Sequence, residues 1–161
     1  MPQAVHFGAR LAYMGRTEQT GARMTTLAAM IDDFGFLDDW EDRMRYVIEL
    51  GKALPDLPDA EKTAENKVQG CASQVWLSVS AVDGADPVMT FRGDSDAFIV
   101  RGLVAIVLEA YSGKKASEVV AFDALDLFKQ IGLLEHLTAQ RANGLRSMIQ
   151  RIREEAARRL V

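Results

Sequence analysis

Cys71 is the only cysteine of this 161-residue chain. It follows Gly70 and precedes Ala72 and Ser73, and the alternating apolar segment 75–82 begins shortly afterwards. Small and turn-favouring residues followed by alternation predict a tight loop that leads into a β-strand, with the thiol near the loop tip. A thiol there can be reached by another protein, and its thiolate is the nucleophilic form. The competing interpretation is that of a small buried hydrophobic residue.

The remaining residues give little support for stand-alone catalysis at this thiol. A cysteine hydrolase needs a base, usually a histidine oriented by a third group, and the chain contains only His6 and His136. His136 is the more credible of the two, but we favour a surface or helix-terminal position over a catalytic role for it. Neither a glycine-rich nucleotide loop nor a metal-ligand spacing of His, Cys and carboxylates occurs. A persulfide carrier requires less, because the donor's persulfide supplies the electrophile and the acceptor needs one reachable thiolate.

Two predicted helices precede the loop. The first begins after Thr25 or Thr26, either of which can be an N-cap, and ends at Gly35. The second begins after Asp38 or Asp39 and stops before a polar, proline-containing connector. Neither helix carries a constellation of titratable residues beyond ordinary surface charge.

The segment after the connector has the pattern of a β-hairpin. Residues 75–82 alternate in part, residues 83–87 read as a turn, and residues 88–92 return as a second strand. Residues 67–69 are a candidate for a short third strand. Because an isolated ribbon is marginally stable, we expect helices to cover one of its faces.

The most apolar predicted helix covers residues 97–111, and its pattern indicates a central, buried position. Asp94, Ser95 or Asp96 is expected to cap its first turn. Shorter helical segments follow, and Thr138 is a candidate N-cap for a last amphipathic helix. The predicted fold class is therefore α+β, with a small antiparallel sheet of two or three strands covered by several helices.

Composition and charge are those of an ordinary globular domain. Hydrophobic residues make up 48% of the chain and charged residues 26%, with a net charge of −4. The acidic balance argues against a nucleic-acid partner, and we assign the arginine-rich C-terminal end to a solvated helix face. One cysteine excludes an internal disulfide and fits a reduced, cytoplasmic setting. No apolar run reaches the ~20 residues of a membrane span.

Residues 1–23 are predicted to be a flexible arm or start-site extension, and residues 24–161 a single domain.

Four segments of the chain resemble one known family. They are residues 66–76, which surround Cys71, and residues 93–103, 111–114 and 136–145. In this order and spacing they are similar to the SufE family of sulfur acceptors, and the similarity extends from about Met24 to the C-terminus. Four matching blocks are far more specific than one loop. The resemblance implies a SufE/IscU-like fold for residues 24–161.

The resemblance also implies a function. In the family, the cysteine that matches Cys71 takes a sulfane sulfur from a pyridoxal-phosphate cysteine desulfurase, stimulates that enzyme and passes the sulfur to an iron–sulfur scaffold. The protein is then an activator and acceptor rather than a stand-alone enzyme, a monomer or weak homodimer without a bound cofactor. The only non-protein species expected is a transient persulfide on Cys71. The residues expected in the loop or at the partner surface are Gln69, Gly70, Ser73, Gln74, Asp96, His136 and Arg141.

Two other interpretations remain open. One is an interaction or regulatory module with a structural or redox-sensing cysteine, and the other is a sister-branch acceptor that serves another sulfur-transfer pathway. The family pattern often has Gln or Glu where Ala72 stands and Pro where Ala139 stands, which puts the choice of partner in doubt. We further expect the free thiol to lie in a shallow apolar pocket, with Asp96 and Arg141 controlling its release.

Overall fold

The computed structural model describes residues 26–160, which form a three-stranded antiparallel sheet and six α-helices. The helices are α1 (Leu27–Gly35), α2 (Trp40–Ala53), α3 (Phe98–Tyr111), α4 (Ala116–Ala121), α5 (Ala124–Gln130) and α6 (Ala139–Arg158). The strands are β1 (Val75–Ala81), β2 (Val88–Ser95) and β3 (Lys114–Lys115), and short 3-10 helices lie at Asp59–Glu61 and Leu134–His136. The predicted α+β class is confirmed. The predicted arm, residues 1–23, lies outside the described residues.

Three of the helices begin where the sequence predicts. The side chain of Thr26 accepts a hydrogen bond from the backbone N–H of Ala29, and that of Asp39 accepts one from Glu41. At α6, the Thr138 hydroxyl accepts a bond from the first helical turn. Each side chain satisfies a backbone donor that has no partner inside its own helix.

The predicted cap of α3 is wrong. Its N-cap is Ala97, and no side chain caps the helix. Asp94 and Ser95 are the last two residues of β2 and are buried, and the Ser95 hydroxyl accepts a hydrogen bond from the N–H of Ala97, which precedes the helix. Asp96 is turned instead towards the loop that precedes β1.

The buried Asp94 carboxylate is the centre of a polar cluster. One of its oxygens accepts a hydrogen bond from the guanidinium of Arg101, and the other accepts one from the backbone N–H of Leu57 at 2.9 Å. Arg101 in turn donates to the carbonyls of Gly51 and Leu54. The cluster therefore fixes the connector after α2 against the junction of β2 and α3, which is the junction that bears Asp96.

The sheet has the strand order β1-β2-β3. Strands β1 and β2 form the predicted hairpin, with pairs from Val75–Ser95 to Ala81–Met89. The third strand is β3, which pairs with the start of β2. The predicted third strand at residues 67–69 is wrong, because Lys67 makes only an isolated bridge to Trp76 before the chain turns away into the Cys71 loop.

Helix α3 is the buried centre of the fold, as predicted, and each of its residues 101–108 is buried. Strand β2 packs on one side of it and α2 on another, and Leu77, Met89 and Phe91 of the sheet are buried in the same core. Helix α2 comes so close that a Cβ at Gly102 would lie 2.0 Å from the carbonyl oxygen of Val47. This tightly held helix supplies one wall of the cavity described next.

Candidate functional site

The Cys71 loop is residues 69–74, and it is closed at its base by a buried backbone contact. The N–H of Val68 donates to the carbonyl of Val75 at 2.8 Å, and both side chains are buried in the core. Gly70 has a φ of +89°, which is strained for any residue with a side chain, and a Cβ there would lie 2.8 Å from Ser147 Oγ. Its lack of a side chain therefore lets the loop turn directly against α6.

The Cys71 thiol is half-buried against the middle of α6. Its S–H donates to the backbone carbonyl of Gly144, with a sulfur–oxygen distance of 3.7 Å. Burial raises the pKa of the Cys71 thiol above its ordinary value, because the charged form is the one that loses solvation. Burial therefore disfavours the thiolate while the loop is closed, and the half-buried position of the sulfur is the one that we expected.

A cavity of about 240 Å³ opens beside the sulfur. Its apolar wall comes from the start of β1, from α3 and from α6, namely Val75, Val100, Leu103, Val104, Leu145 and Met148. Its polar rim contains Ser73, Thr138, Gln140 and Arg141. The volume is several times the ~30 Å³ that a water molecule occupies in the liquid, so it can receive further atoms bound to the sulfur.

The C-terminal side of the loop is held by Asp96. The Asp96 carboxylate accepts a hydrogen bond from the backbone N–H of Gln74 at 3.0 Å, and the Asp96 N–H donates to the Gln74 carbonyl at 3.3 Å. Both residues are exposed, so solvent or a partner can compete for these bonds. Asp96 thus couples the junction of β2 and α3 to the closed position of the loop.

Asp96→Arg is expected to speed alkylation of Cys71 by iodoacetamide several-fold. The substitution removes one loop-closing hydrogen bond, worth about 0.5–1.5 kcal/mol, so the open loop becomes more populated. Asp96→Asn is the matched control, because its amide oxygen can still accept the Gln74 N–H. Equal rates for the Arg variant and the wild-type protein would show that this contact does not close the loop.

The N-terminal side of the loop is held by Arg151, which lies on α6. Its guanidinium donates to the carbonyl of Glu65 at 2.7 Å and to that of Lys67 at 3.3 Å. The C-terminal arginines are therefore not simply a solvated face, since Arg153 also binds a backbone carbonyl, that of Val120. Helix α6 supports the segment that enters the loop as well as the sulfur itself.

The other predicted site residues lie in different places. Arg141 is exposed on the cavity rim, and its backbone N–H donates a hydrogen bond to the hydroxyl of Thr138, the N-cap of α6. Gln69 is exposed at the start of the loop. His136 is not among the residues that line the cavity, and its ring stacks on Trp40 with centroids 4.3 Å apart. The roles assigned to these three side chains stay predictions.

Sequence reasoning missed the contribution of α6 to the site. Gly144, Ser147 and Arg151 contact the loop or its approach, yet none was singled out as a site residue. Gly144 itself was the sequence feature that could have indicated this contact, because a glycine in a helix interior is usually there for a packing reason. No sequence spacing identifies Ser147 or Arg151 as neighbours of the loop.

The described residues contain no group of three or more His, Cys, Asp or Glu side chains arranged to hold a metal ion. The same part of the chain has no helix that is both long and apolar enough to cross a membrane. Among the described residues that line the cavity, Arg141 is the one charged side chain. The site therefore consists of a half-buried thiol, an apolar wall and a rim that carries one cation.

The comparisons with known proteins agree on one family. The model of the SufE family, described as an Fe-S metabolism associated domain, matches residues 28–156. An uncharacterized SufE-like protein of Rhizobium meliloti is 67% identical over 138 residues, which cover 85% of this chain and 99% of that protein. A second, from Rhizobium etli, is 66% identical over 134 residues, covering 83% and 90%.

A solved structure is similar in fold. The solution structure of a hypothetical protein from Thermus thermophilus matches 82% of this chain and 93% of its own, with a TM-score of 0.64. Its 19% sequence identity supports the fold alone. The family match covers the loop, the cavity walls and most of α6, and the Rhizobium proteins share two thirds of their residues with it. The chain therefore belongs to the SufE family and has a role associated with iron–sulfur metabolism.

Proposed function

We propose that this protein accepts sulfane sulfur on Cys71 from a cysteine desulfurase and passes it to iron–sulfur cluster assembly. The observation that carries the proposal is the half-buried thiol of a mostly exposed loop, facing a cavity of about 240 Å³ with an apolar wall. A persulfide is easily lost to oxidants and small thiols, so a carrier benefits from a sheltered position that a partner can open.

The transfer is a thiol–persulfide exchange. The Cys71 thiolate attacks the outer sulfur of the donor's cysteine persulfide, a new S–S bond forms on Cys71, and the donor's S–S bond breaks. The donor cysteine leaves as a thiolate and Cys71 becomes a persulfide. The proton lost by Cys71 goes to solvent or to the donor cysteine, and no external oxidant or reductant is needed.

The surroundings of Cys71 suit a carrier better than a hydrolase. A hydrolase would need an imidazole in hydrogen-bond reach of the sulfur, and the group that the thiol contacts is instead a backbone carbonyl. His136 is engaged with Trp40. An exchange partner that brings its own persulfide removes the need for such a base in this chain.

Transfer requires the loop to open, and few contacts resist the opening. Among the described residues, the hydrogen bonds of the loop itself are the S–H bond to Gly144 and the pair of bonds between Gln74 and Asp96, while Arg151 holds the segment before it. Hydrogen bonds of this kind contribute about 0.5–1.5 kcal/mol each, so an interface of ordinary size can supply the differential binding energy that favours the open loop.

The rim of the cavity offers a recognition group for the donor. Arg141 is exposed beside the opening, and within the described residues its guanidinium has no ion-pair partner. A planar guanidinium binds carboxylates or backbone carbonyls in a bidentate way, so we assign Arg141 to the desulfurase or to the displaced loop. Stimulation of the desulfurase then follows from removal of its persulfide, which frees its cysteine for another turnover.

The proposal is tested by measuring alanine formation from cysteine by a purified desulfurase, with and without this protein. We expect faster turnover with the wild-type protein and no acceleration by a protein whose Cys71 has been alkylated beforehand. Equal acceleration by the alkylated protein would favour an interaction or regulatory module instead. No acceleration by any desulfurase tested, together with no sulfur on Cys71, would contradict the carrier function.

A further inference from the structure

The contact between Cys71 and Gly144 joins residues 73 positions apart in the sequence. A Cβ at Gly144 would lie 3.1 Å from Cys71 Sγ, 3.5 Å from its Cβ and 3.6 Å from its Cα. The cysteine side chain therefore occupies the space that any larger residue at Gly144 would fill. Glycine in the interior of a helix is costly, about 0.5–1 kcal/mol relative to alanine, so its presence in this 20-residue helix calls for a reason outside the helix.

We propose that Gly144 is a positioning residue for the sulfur, and that its carbonyl retains the neutral thiol and releases the sulfur when it becomes an anion. The proposal rests on the proposed function in one respect, namely that the sulfur must leave this position to react. We call the space above Gly144, together with its carbonyl oxygen, the seat. The hydrogen-bond acceptor of the seat is a backbone carbonyl, so its position is set by α6 and not by a side-chain rotamer.

The preference of the seat for the thiol over the thiolate follows from hydrogen-bond chemistry. A thiol S–H can donate to the Gly144 carbonyl, whereas a thiolate has no proton to donate and meets the negative end of the carbonyl dipole. The apolar wall from β1, α3 and α6 adds a further penalty for the anion, because it cannot solvate charge.

One charged group opposes this preference. Arg141 on α6 is the cationic side chain among the described residues that line the cavity, and it would attract a thiolate. Arg141 is exposed on the rim, while the carbonyl is at the sulfur itself. The two groups therefore favour different positions: the carbonyl holds the thiol inside, and the guanidinium draws an anionic sulfur towards the opening.

Gly144→Ala is expected to change both the rate and the pH profile of Cys71 alkylation by iodoacetamide. The methyl group would lie 3.1 Å from Cys71 Sγ, so the sulfur must shift and its hydrogen bond to the Gly144 carbonyl weakens. At neutral pH the rate should rise several-fold, because a sulfur moved away from the carbonyl and the apolar wall loses less solvation on ionising and its thiolate fraction increases. At high pH the two rates should converge, because an anionic sulfur has already left the seat in the wild-type protein.

Gly35→Ala is the matched control, since Gly35 also lies in a helix and a Cβ there meets nothing within 4 Å. Gly35→Ala should leave the pH profile of Cys71 alkylation unchanged. An increase by the same factor at every pH would show that Gly144 shelters the sulfur only sterically and would overturn the proposal, as would an unchanged rate. Alkylation needs no desulfurase, so this outcome is independent of whether Cys71 accepts sulfur.

A measurement on the wild-type protein covers the case in which Gly144→Ala does not fold. In isotope-labelled protein, the NMR shift of the Gly144 carbonyl carbon should titrate with the same midpoint as the Cys71 Cβ, because the S–H bond is lost on ionisation. Carbonyls elsewhere on α6, such as that of Gln150, should not follow this midpoint. A Gly144 carbonyl that is insensitive to Cys71 ionisation would overturn the proposal.

Discussion

Cys71→Ser is expected to reduce sulfur acceptance to background while leaving the fold intact. A serine hydroxyl is too weakly acidic to supply a nucleophile near neutral pH, and no second thiol exists in the chain to replace the first. The side chain is half-buried at the edge of the core, so we expect unfolding free energy to change by about 1 kcal/mol or less. Sulfur bound after incubation with cysteine and desulfurase gives the readout, and urea unfolding checks the fold.

A relocated thiol provides the matched control. Ser80 lies on β1 and is exposed, so Cys71→Ser combined with Ser80→Cys restores a reachable thiol outside the loop. We expect this double variant to accept sulfur no better than Cys71→Ser. Sulfur acceptance by either variant at the wild-type rate would show that the position of Cys71 is irrelevant, and the carrier function proposed for this loop would fail.

Asp94→Ala is expected to be the most destabilising of these substitutions. The Asp94 side chain is only 2% exposed, and its removal leaves the buried Arg101 guanidinium without its main counter-ion and the Leu57 N–H without an acceptor. Breaking a buried ion pair by removing one partner costs about 3–5 kcal/mol, which is a large part of the stability of a domain of this size. The free energy of unfolding from urea denaturation measures the loss.

Asp56→Ala is the control for this prediction. The Asp56 carboxylate lies 3.2 Å from the same guanidinium of Arg101, but its side chain is 86% exposed. Surface pairs contribute about 0–1 kcal/mol, so this variant should unfold nearly like the wild-type protein. If the two variants lost equal stability, burial of the Asp94 pair would not be the reason for the effect.

The sequence predicted the features that depend on local patterns. The turn residues around Cys71 and the alternation after it located the loop and the hairpin, and Thr26, Asp39 and Thr138 located three helix starts. The continuous apolar run of α3 identified it as the central helix. Each of these features is determined by residues within a few positions of one another, so a single sequence suffices to find it.

The features that depend on distant contacts were not predicted. Asp94 is one of three candidate caps that the sequence offers for α3, yet Arg101 and the connector at Leu57 place it in a buried cluster. The lysines of β3 carry no strand pattern, and they pair with β2 only because α3 returns the chain to the sheet. Gly144 was read as part of a helix, and its contact with Cys71 became apparent only from the packing of α6.

The most direct test of the central claim is to locate the transferred sulfur. The wild-type protein is incubated with cysteine and a pyridoxal-phosphate cysteine desulfurase, separated from the enzyme, and analysed by mass spectrometry before and after digestion. The account predicts a mass increase of one or more sulfur atoms, confined to the peptide that contains Cys71 and removed by a reductant. An unmodified Cys71 under conditions in which the desulfurase itself carries a persulfide would contradict it.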